Sequence, residues 1–150
     1  MTKTALALLA ALAFGTLTAC GDATPDSLRP NPPQAADVSR MVDDYADLYG
    51  VPRSLAHRVV QRESGYNPAA RNGTYYGLMQ IAPPTARTMG YQGAPDGLLD
   101  AATNLKYAVK YLRGAWLVSD GSEDAAVGWY SRGYYYEAKK RGLLKETGLR

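Results

Sequence analysis

The stretch PRSLAHRVVQRESG, residues 52–65, decides the fold class of this chain. Its apolar side chains recur at three- and four-residue steps, which predicts a helix with one apolar face. That face consists of Leu55, Ala56, Val59 and Val60. Pro52 suits the first turn of a helix, and the apolar pattern stops before Gly65, so we expect the helix to fill the stretch between them.

The position of Glu63 on this helix indicates a chemical role. At roughly 100° per residue, Glu63 lies within about 20° of Ala56 and about 40° of Val59, in the middle of the apolar face. Burial and the negative end of the helix dipole both favour a protonated carboxyl there, as a general acid requires. The alternative is a structural glutamate that pairs with Arg62 or another cation, or that reaches water past Gly65.

Helical periodicity also predicts the rest of the folded part. Further helical segments are expected at about 37–49, 84–89, 100–118, 122–131 and 135–141. Residues 66–76 read as a loop, because Asn72-Gly73 lacks the alternating runs on both sides that a hairpin requires. We therefore predict a mainly α fold in one compact lobe.

The composition excludes several classes of function. With 17 Lys and Arg against 14 Asp and Glu in 150 residues, the formal charge is only +3, so no nucleic-acid partner is expected. His57 is the only histidine and Cys20 the only cysteine, which rules out the usual zinc sites and a Cys-His nucleophile. Neither a phosphate-binding glycine loop nor a G-x-S-x-G elbow occurs. We expect no metal and no cofactor, and we interpret His57 as a helix-surface residue.

The N-terminus reads as an export signal. An uncharged apolar run, Ala5 to Phe14, follows Lys3 and has the length of a signal-peptide core, too short to span a bilayer comfortably. It is followed by Leu17-Thr18-Ala19-Cys20, which resembles a bacterial lipobox. The resemblance implies cleavage before Cys20 and lipidation of that residue. The alternative is a plain secretory signal with a cysteine near the cleavage site.

Lipidation would tether the protein to a membrane, since two or three acyl chains anchor a protein stably whereas one chain binds marginally. Gly21, rather than Asp, after Cys20 favours the outer membrane over the inner one, so we expect an envelope lipoprotein facing the periplasm. Residues 20–36 are rich in proline and poor in large apolar side chains, which predicts a flexible tether. The chain then divides into a signal peptide (1–19), the lipidated tether (20–36) and a folded domain (37–150).

Motifs on both sides of the 66–76 loop resemble a known family. Glu63-Ser64-Gly65 followed by Gly77-Leu78-Met79-Gln80-Ile81 is similar to the paired signature of the soluble lytic transglycosylase (SLT) family. Further matches follow in order, namely Asn104-Leu105, Tyr111-Leu112 and Trp129-Tyr130-Ser131-Arg132-Gly133. The resemblance covers residues 38–133. It implies a single lysozyme-like domain of about five to seven helices with a substrate cleft.

The resemblance implies a peptidoglycan lytic transglycosylase with a single catalytic carboxyl. Glu63 would protonate the β-1,4 glycosidic oxygen between N-acetylmuramic acid and N-acetylglucosamine. It would then act as the base for the muramoyl 6-hydroxyl, which attacks the anomeric carbon and leaves a 1,6-anhydromuramoyl end. Most glycosidases use a second carboxyl group, whereas no other Asp or Glu of this chain lies in a comparable motif.

The resemblance also implies a set of substrate-binding residues. Ser64 and Gln80 would orient polar groups of the sugars, and Tyr130 would lie near the catalytic carboxyl. Met79 would form an apolar wall of the cleft, with core packing as the alternative. Ser131 departs from the family, in which Asn is usual, because its hydroxyl is shorter and has one donor.

Two other functions stay open. One is a lysozyme-like hydrolase of the same bond, in which water replaces the 6-hydroxyl. The other is a catalytically impaired module for peptidoglycan binding or assembly, which the departure at Ser131 motivates. Peptidoglycan strands are the expected partner in all three cases, and a monomer is expected. The 12 tyrosines beside one phenylalanine suit a surface that stacks on sugars, although those at helical spacing are core candidates.

Overall fold

A computed structural model describes residues 35–150 of the chain, and over that range the fold is mainly helical, as predicted. Its α-helices are α1 (Ala35–Tyr49), α2 (Arg53–Ser64), α3 (Pro83–Thr88), α4 (Ala101–Leu117), α5 (Glu123–Arg132) and α6 (Tyr135–Lys140). Its strands are β1 (Arg71–Asn72) and β2 (Tyr75–Tyr76), and a 3-10 helix spans Pro95–Leu99. The predicted signal peptide, the lipidation of Cys20 and the tether up to residue 34 lie outside the described residues.

Helix α4 lies at the centre of this domain. The helices α1, α3 and α5 and the 3-10 helix all contact it, so α4 is buried on several sides. Its buried apolar side chains are those of Ala101, Leu105, Ala108, Val109, Leu112 and Ala115. Asp100 caps its first turn by accepting a hydrogen bond from the Thr103 N–H at 2.8 Å. Of the helices within residues 35–150, none combines the length and the apolar character needed to cross a bilayer.

Glycines end the first two helices and thereby place the end of α2. Gly50 follows α1 with φ of +64°, and Gly65 follows α2 with φ of +57°, both in the left-handed region that favours glycine. The Gly65 N–H donates to the Gln61 carbonyl at 3.1 Å, which closes the last turn of α2. Pro52 directly precedes α2, so the prediction for residues 52–65 is confirmed. Glu63 therefore lies in the final turn, one residue before the helix ends.

The loop of residues 66–76 contains a small antiparallel hairpin, so the prediction that Asn72-Gly73 forms none is wrong. Arg71 pairs with Tyr76 and Asn72 with Tyr75, and Gly73 has φ of +58° in the turn between the strands. Each strand is only two residues long, which is too short for an alternating pattern to exist in the sequence.

The turn after β2, residues 77–82, is fixed by the completely buried side chain of Asn104. Its Nδ2 donates to the carbonyls of Tyr76 and Leu98, each at 2.8 Å, and its Oδ1 accepts from the Met79 N–H at 3.0 Å. Gly77 has φ of +71°, and a Cβ there would lie 2.3 Å from Asn104 Nδ2 and 2.4 Å from the Leu98 oxygen. The amide of one helix residue thus determines the shape of the Gly77–Ile81 motif.

Candidate active site

A cleft of about 710 Å³ opens where the end of α2, the hairpin and the end of α5 meet. Its lining residues are Arg62, Glu63, Ser64, Ala70, Arg71, Asn72, Tyr75, Gln80, Tyr130 and Ser131. A neighbouring hollow of about 250 Å³ shares Tyr75, Gln80, Tyr130 and Ser131 with it, so the two form one surface. The cleft therefore brings together five of the six residues predicted to form the site. It also contains Arg62 and Arg71, which were not predicted as site residues.

Glu63 is the only carboxyl-bearing residue that lines the cleft in the described domain. Its side chain is 23% exposed, between the buried position that the periodicity predicts and open solvent. The helix ends at Ser64, so the apolar face around Glu63 is not continued and one side of the carboxyl opens into the cleft. The pairing with Arg62 considered as an alternative is present, because Arg62 Nε donates to Glu63 Oε1 at 3.0 Å.

Arg62 also joins Glu63 to α5. Its Nη2 donates both to Glu63 Oε1 and to the Ser131 Oγ, the latter at 2.6 Å. Ser131 donates its own hydroxyl proton to the Val127 carbonyl at 3.0 Å. Ser131, which stands where the family usually has Asn, thus accepts a hydrogen bond from Arg62.

Ser64 and Gln80 lie on the cleft wall, and both hold backbone groups in place. The Ser64 hydroxyl donates to the Leu78 carbonyl at 2.7 Å, with the Val60 carbonyl at 3.3 Å. Gln80 Nε2 donates to the carbonyls of Ala70 and Gly77 at 3.1 and 2.9 Å. Gln80 itself has φ of +48°, a strained value that these bonds help to maintain. Both residues therefore join the wall of the cleft to its supporting loop.

The side chain of Met79 is 0% exposed and does not line the cleft, which corrects its prediction as an apolar cleft wall. Met79 belongs to the hydrophobic core, the alternative considered for it, and its N–H donates to Asn104 Oδ1 at 3.0 Å. Its carbonyl accepts a hydrogen bond from the Tyr130 hydroxyl at 2.9 Å. Met79 therefore supports the site through its backbone.

Tyr130 connects the buried backbone of Met79 to the cleft wall beside Glu63. The ring is buried, yet it lines the cleft beside Glu63. Burial raises the pKa of Tyr130 well above its ordinary value, and the negative charge of Glu63 raises the pKa further. The hydroxyl of Tyr130 therefore stays protonated and remains a donor to Met79 at neutral pH.

His57 is not the unpartnered surface residue that the sequence predicts. Its Nδ1 lies 2.5 Å from the Tyr66 hydroxyl and its Nε2 lies 3.0 Å from Asp43 Oδ1. A neutral imidazole satisfies both contacts, with Nε2–H donating to the carboxylate and Nδ1 accepting from the hydroxyl. Burial raises the pKa of Tyr66, and the charge of Asp43 adds to this. The chain of contacts joins α1, α2 and the start of the 66–76 loop.

Several residues of the site carried no signal in the sequence. Arg62 precedes Glu63 without belonging to a motif, and its contact to Ser131 spans 69 positions. Arg71 reaches the cleft from β1, where it donates to the Tyr76 hydroxyl at 2.8 Å. Within residues 35–150, no group of three or more His, Cys, Asp or Glu side chains is arranged to hold a metal ion.

The fold and the cleft together define a mainly helical domain with one carboxyl in a polar cleft. The sequence model of the transglycosylase SLT domain matches residues 40–146, more than half of the chain. The chain therefore belongs to the SLT transglycosylase family.

The chain is also similar to a curated protein of known name. The chain is 36% identical over 104 residues to the membrane-bound lytic murein transglycosylase F of Shewanella woodyi (strain ATCC 51908 / MS32). The match covers 65% of this chain and 21% of the relative, so the chain spans about a fifth of that protein's length. No solved structure matches the chain significantly.

Proposed function

We propose that this chain is a peptidoglycan lytic transglycosylase in which Glu63 is the single acid and base. The observation that carries the proposal is the isolation of Glu63, the one carboxyl on the cleft wall within residues 35–150. Membership of the SLT family and similarity to a relative named as a lytic murein transglycosylase support the same activity. The bond cleaved is the β-1,4 bond between N-acetylmuramic acid and N-acetylglucosamine.

The proposed reaction needs one carboxyl because the same group acts twice. Glu63 first gives its proton to the glycosidic oxygen while the bond from that oxygen to the muramoyl anomeric carbon breaks. The muramoyl 6-hydroxyl oxygen then bonds to the anomeric carbon, and its proton passes to the Glu63 carboxylate. Glu63 ends as it began, no water is consumed, and the product carries a 1,6-anhydromuramoyl end.

Ser64 and Gln80 act as acceptors for the sugars in this proposal. The Ser64 proton is directed to Leu78, and the Gln80 amide hydrogens are directed to two carbonyls. What each offers to a ligand is therefore an oxygen, which suits the N–H of an N-acetyl group or a sugar hydroxyl. Tyr130 forms the part of the cleft wall beside Glu63. Tyr75 offers an exposed ring on which a sugar face can stack.

The proposed location is the cell envelope. The relative from Shewanella woodyi is named as membrane-bound, which agrees with an envelope protein. We place a signal peptide at 1–19, a lipidated Cys20 that begins a tether over 20–36, and the catalytic domain at 37–150, anchored at the outer membrane and facing the periplasm. Incorporation of a labelled fatty acid in the wild type and its loss in Cys20→Ala tests the anchor.

Two alternatives lead to different products. A hydrolase would use water in place of the 6-hydroxyl, so its fragments would be one water heavier than anhydro fragments. A binding module would sediment with peptidoglycan and release no fragments. The departure at position 131, where the family usually has Asn and this chain has Ser131, is what keeps the binding module open.

The test is digestion of purified peptidoglycan, followed by mass spectrometry of the released fragments. The wild type should release anhydromuramoyl fragments, and Glu63→Gln should lower the rate by about 100-fold or more. Glu123→Gln is the matched control, because Glu123 lies at the start of α5 and does not line the cleft. Full activity of Glu63→Gln would exclude both enzymatic functions, and hydrated ends alone would establish the hydrolase.

A further inference from the structure

Arg62 holds one oxygen of the Glu63 carboxyl. Its Nε and Nη2 both donate to Oε1, the first at 3.0 Å. None of the residues 35–150 donates a hydrogen bond to Oε2 through a side chain. The two oxygens of the carboxyl are therefore unlike, since one is held by a guanidinium and the other is free to meet a ligand in the cleft.

Ser131 holds Arg62 in turn. The one proton of the Ser131 hydroxyl goes to the Val127 carbonyl at 3.0 Å, so its oxygen offers a lone pair to the cleft. A guanidinium has five N–H donors and no acceptor, and the contact from Arg62 Nη2 measures 2.6 Å. The hydroxyl at position 131 is therefore matched to the arginine at position 62.

This contact is the last of three between α2 and α5. Ser54 Oγ donates to Glu123 at 2.5 Å, and Arg58 Nη2 lies 2.5 Å from Asp124 Oδ1. The α2 residues of the three contacts are Ser54, Arg58 and Arg62, which are four positions apart and share one face of the helix. Only Arg62 reaches the cleft, so the chain contains a matched arginine, Arg58, that joins the same two helices outside it.

We propose that Arg62 is a positioning residue for the reaction, held by Ser131, which fixes Oε1 of Glu63 and presents Oε2 to the bond that is cleaved. The proposal rests on the function proposed above. When Glu63 gives up its proton, negative charge develops on the carboxyl, and a guanidinium fork stabilises that charge. Without Arg62 the carboxyl samples other rotamers, and displacements of about 1 Å cost up to about 100-fold in rate.

The test is the steady-state kinetics of the full chain on purified peptidoglycan. Arg62→Ala should lower kcat about tenfold with KM within about twofold, because the residue acts on the acid and not on substrate binding. Free guanidinium ion at millimolar concentration should restore part of the lost rate. Arg62→Lys should be intermediate, since one ammonium lacks the planar fork that serves Glu63 and Ser131 together.

Ser131 supplies a second and independent test. Ser131→Ala should lower kcat less than Arg62→Ala, because the contacts between Arg62 and Glu63 remain. The double variant should be no slower than Arg62→Ala alone, since Ser131 acts through Arg62. Additive losses in the double variant would overturn the proposal.

Arg58→Ala is the control, because it removes the same charge and another contact between α2 and α5 while leaving the cleft intact. Its kcat should equal that of the wild type. The proposal is overturned if Arg62→Ala behaves like Arg58→Ala, or if its only effect is a higher KM. Failure of the proposed function is a separate result, in which Glu63→Gln keeps its activity or the wild type forms no anhydro ends.

Discussion

The two sides of the cleft are built in opposite ways. The charged side consists of Arg62, Glu63 and Ser131, and its side chains are partly exposed and bind one another. The scaffold side consists of Ser64 and Tyr130, which line the cleft, and of Gly77, Met79 and Asn104, which do not, and here backbone groups are fixed by neutral hydrogen bonds or close contact. The charged groups therefore lie on one side, and most of the groups that fix the backbone lie on the other.

This difference predicts different consequences of substitution. An exposed ion pair contributes roughly 0–1 kcal/mol to stability, so changes on the charged side should alter turnover and leave unfolding almost untouched. A buried polar group that loses its partner costs about 1–3 kcal/mol, so changes on the scaffold side should lower stability first. The following predictions test that division.

The largest expected effect on stability is that of Asn104→Ala. The change leaves the carbonyls of Tyr76 and Leu98 and the N–H of Met79 without their buried partner, and should cost about 3 kcal/mol or more. Urea unfolding followed by circular dichroism measures it. The exposed Asn72 provides the control, since Asn72→Ala should change the free energy of unfolding by less than about 0.5 kcal/mol. Equal values for the two variants would contradict the scaffold role.

Tyr130→Phe should have a smaller effect, because it removes one hydrogen bond and keeps the ring. The Met79 carbonyl loses its donor, which should lower the free energy of unfolding by about 1–2 kcal/mol. Turnover measured well below the unfolding temperature should fall less than in Arg62→Ala. Tyr136→Phe, at an 83% exposed ring, is the control. A variant as stable as the wild type but tenfold slower would place Tyr130 with the charged side.

The smallest effect on turnover is expected for Tyr134→Phe, because Tyr134 does not line the cleft, and its effect on stability should depend on pH. Burial raises the pKa of Tyr134 above its ordinary value of 10.0, and its hydroxyl donates to the Tyr111 carbonyl at 2.8 Å. Above about pH 10 the unfolded chain loses the tyrosine proton and the folded chain keeps it, so stability is complete below that pH and falls as pH rises. Unfolding midpoints across that range should fall less steeply in the variant. An identical slope in both proteins would exclude Tyr134 as a source of the loss.

Local patterns in the sequence were enough for the helices, whereas most of the cleft residues were predicted from the resemblance to the SLT family. The limits of α2 follow from Pro52, the apolar face and Gly65, all of which act within a few residues. The hairpin was not predicted because strands of two residues are too short to show an alternating apolar pattern. The contact between His57 and Asp43 was not predicted, because it joins two helices and no local pattern encodes how those helices pack.

The burial of Met79 and the exposure of Glu63 also depend on tertiary contacts that the sequence does not reveal. Met79 lies in the core, and its N–H is bound by Asn104, 25 positions further on, so its place depends on contacts that no local pattern encodes. Glu63 is partly exposed because α2 ends one residue after it. The apolar periodicity of the helix therefore predicted more burial of Glu63 than the structure shows. The contact between Arg62 and Ser131 joins residues 69 positions apart, and a motif centred on Glu63 does not include Ser131.

The buried contacts of Asn104 have a consequence for how such domains diverge. Asn104 and Gly77 hold the turn without touching Glu63, so the scaffold would survive the loss of the carboxyl. A descendant with one substitution at position 63 would keep the cleft, with Ser64 and Gln80 on its wall, and would still match most of the family signature. Inheritance of the fold and inheritance of the activity proposed for Glu63 are thus separable in this architecture, since one codon change at position 63 would remove the carboxyl and leave the fold.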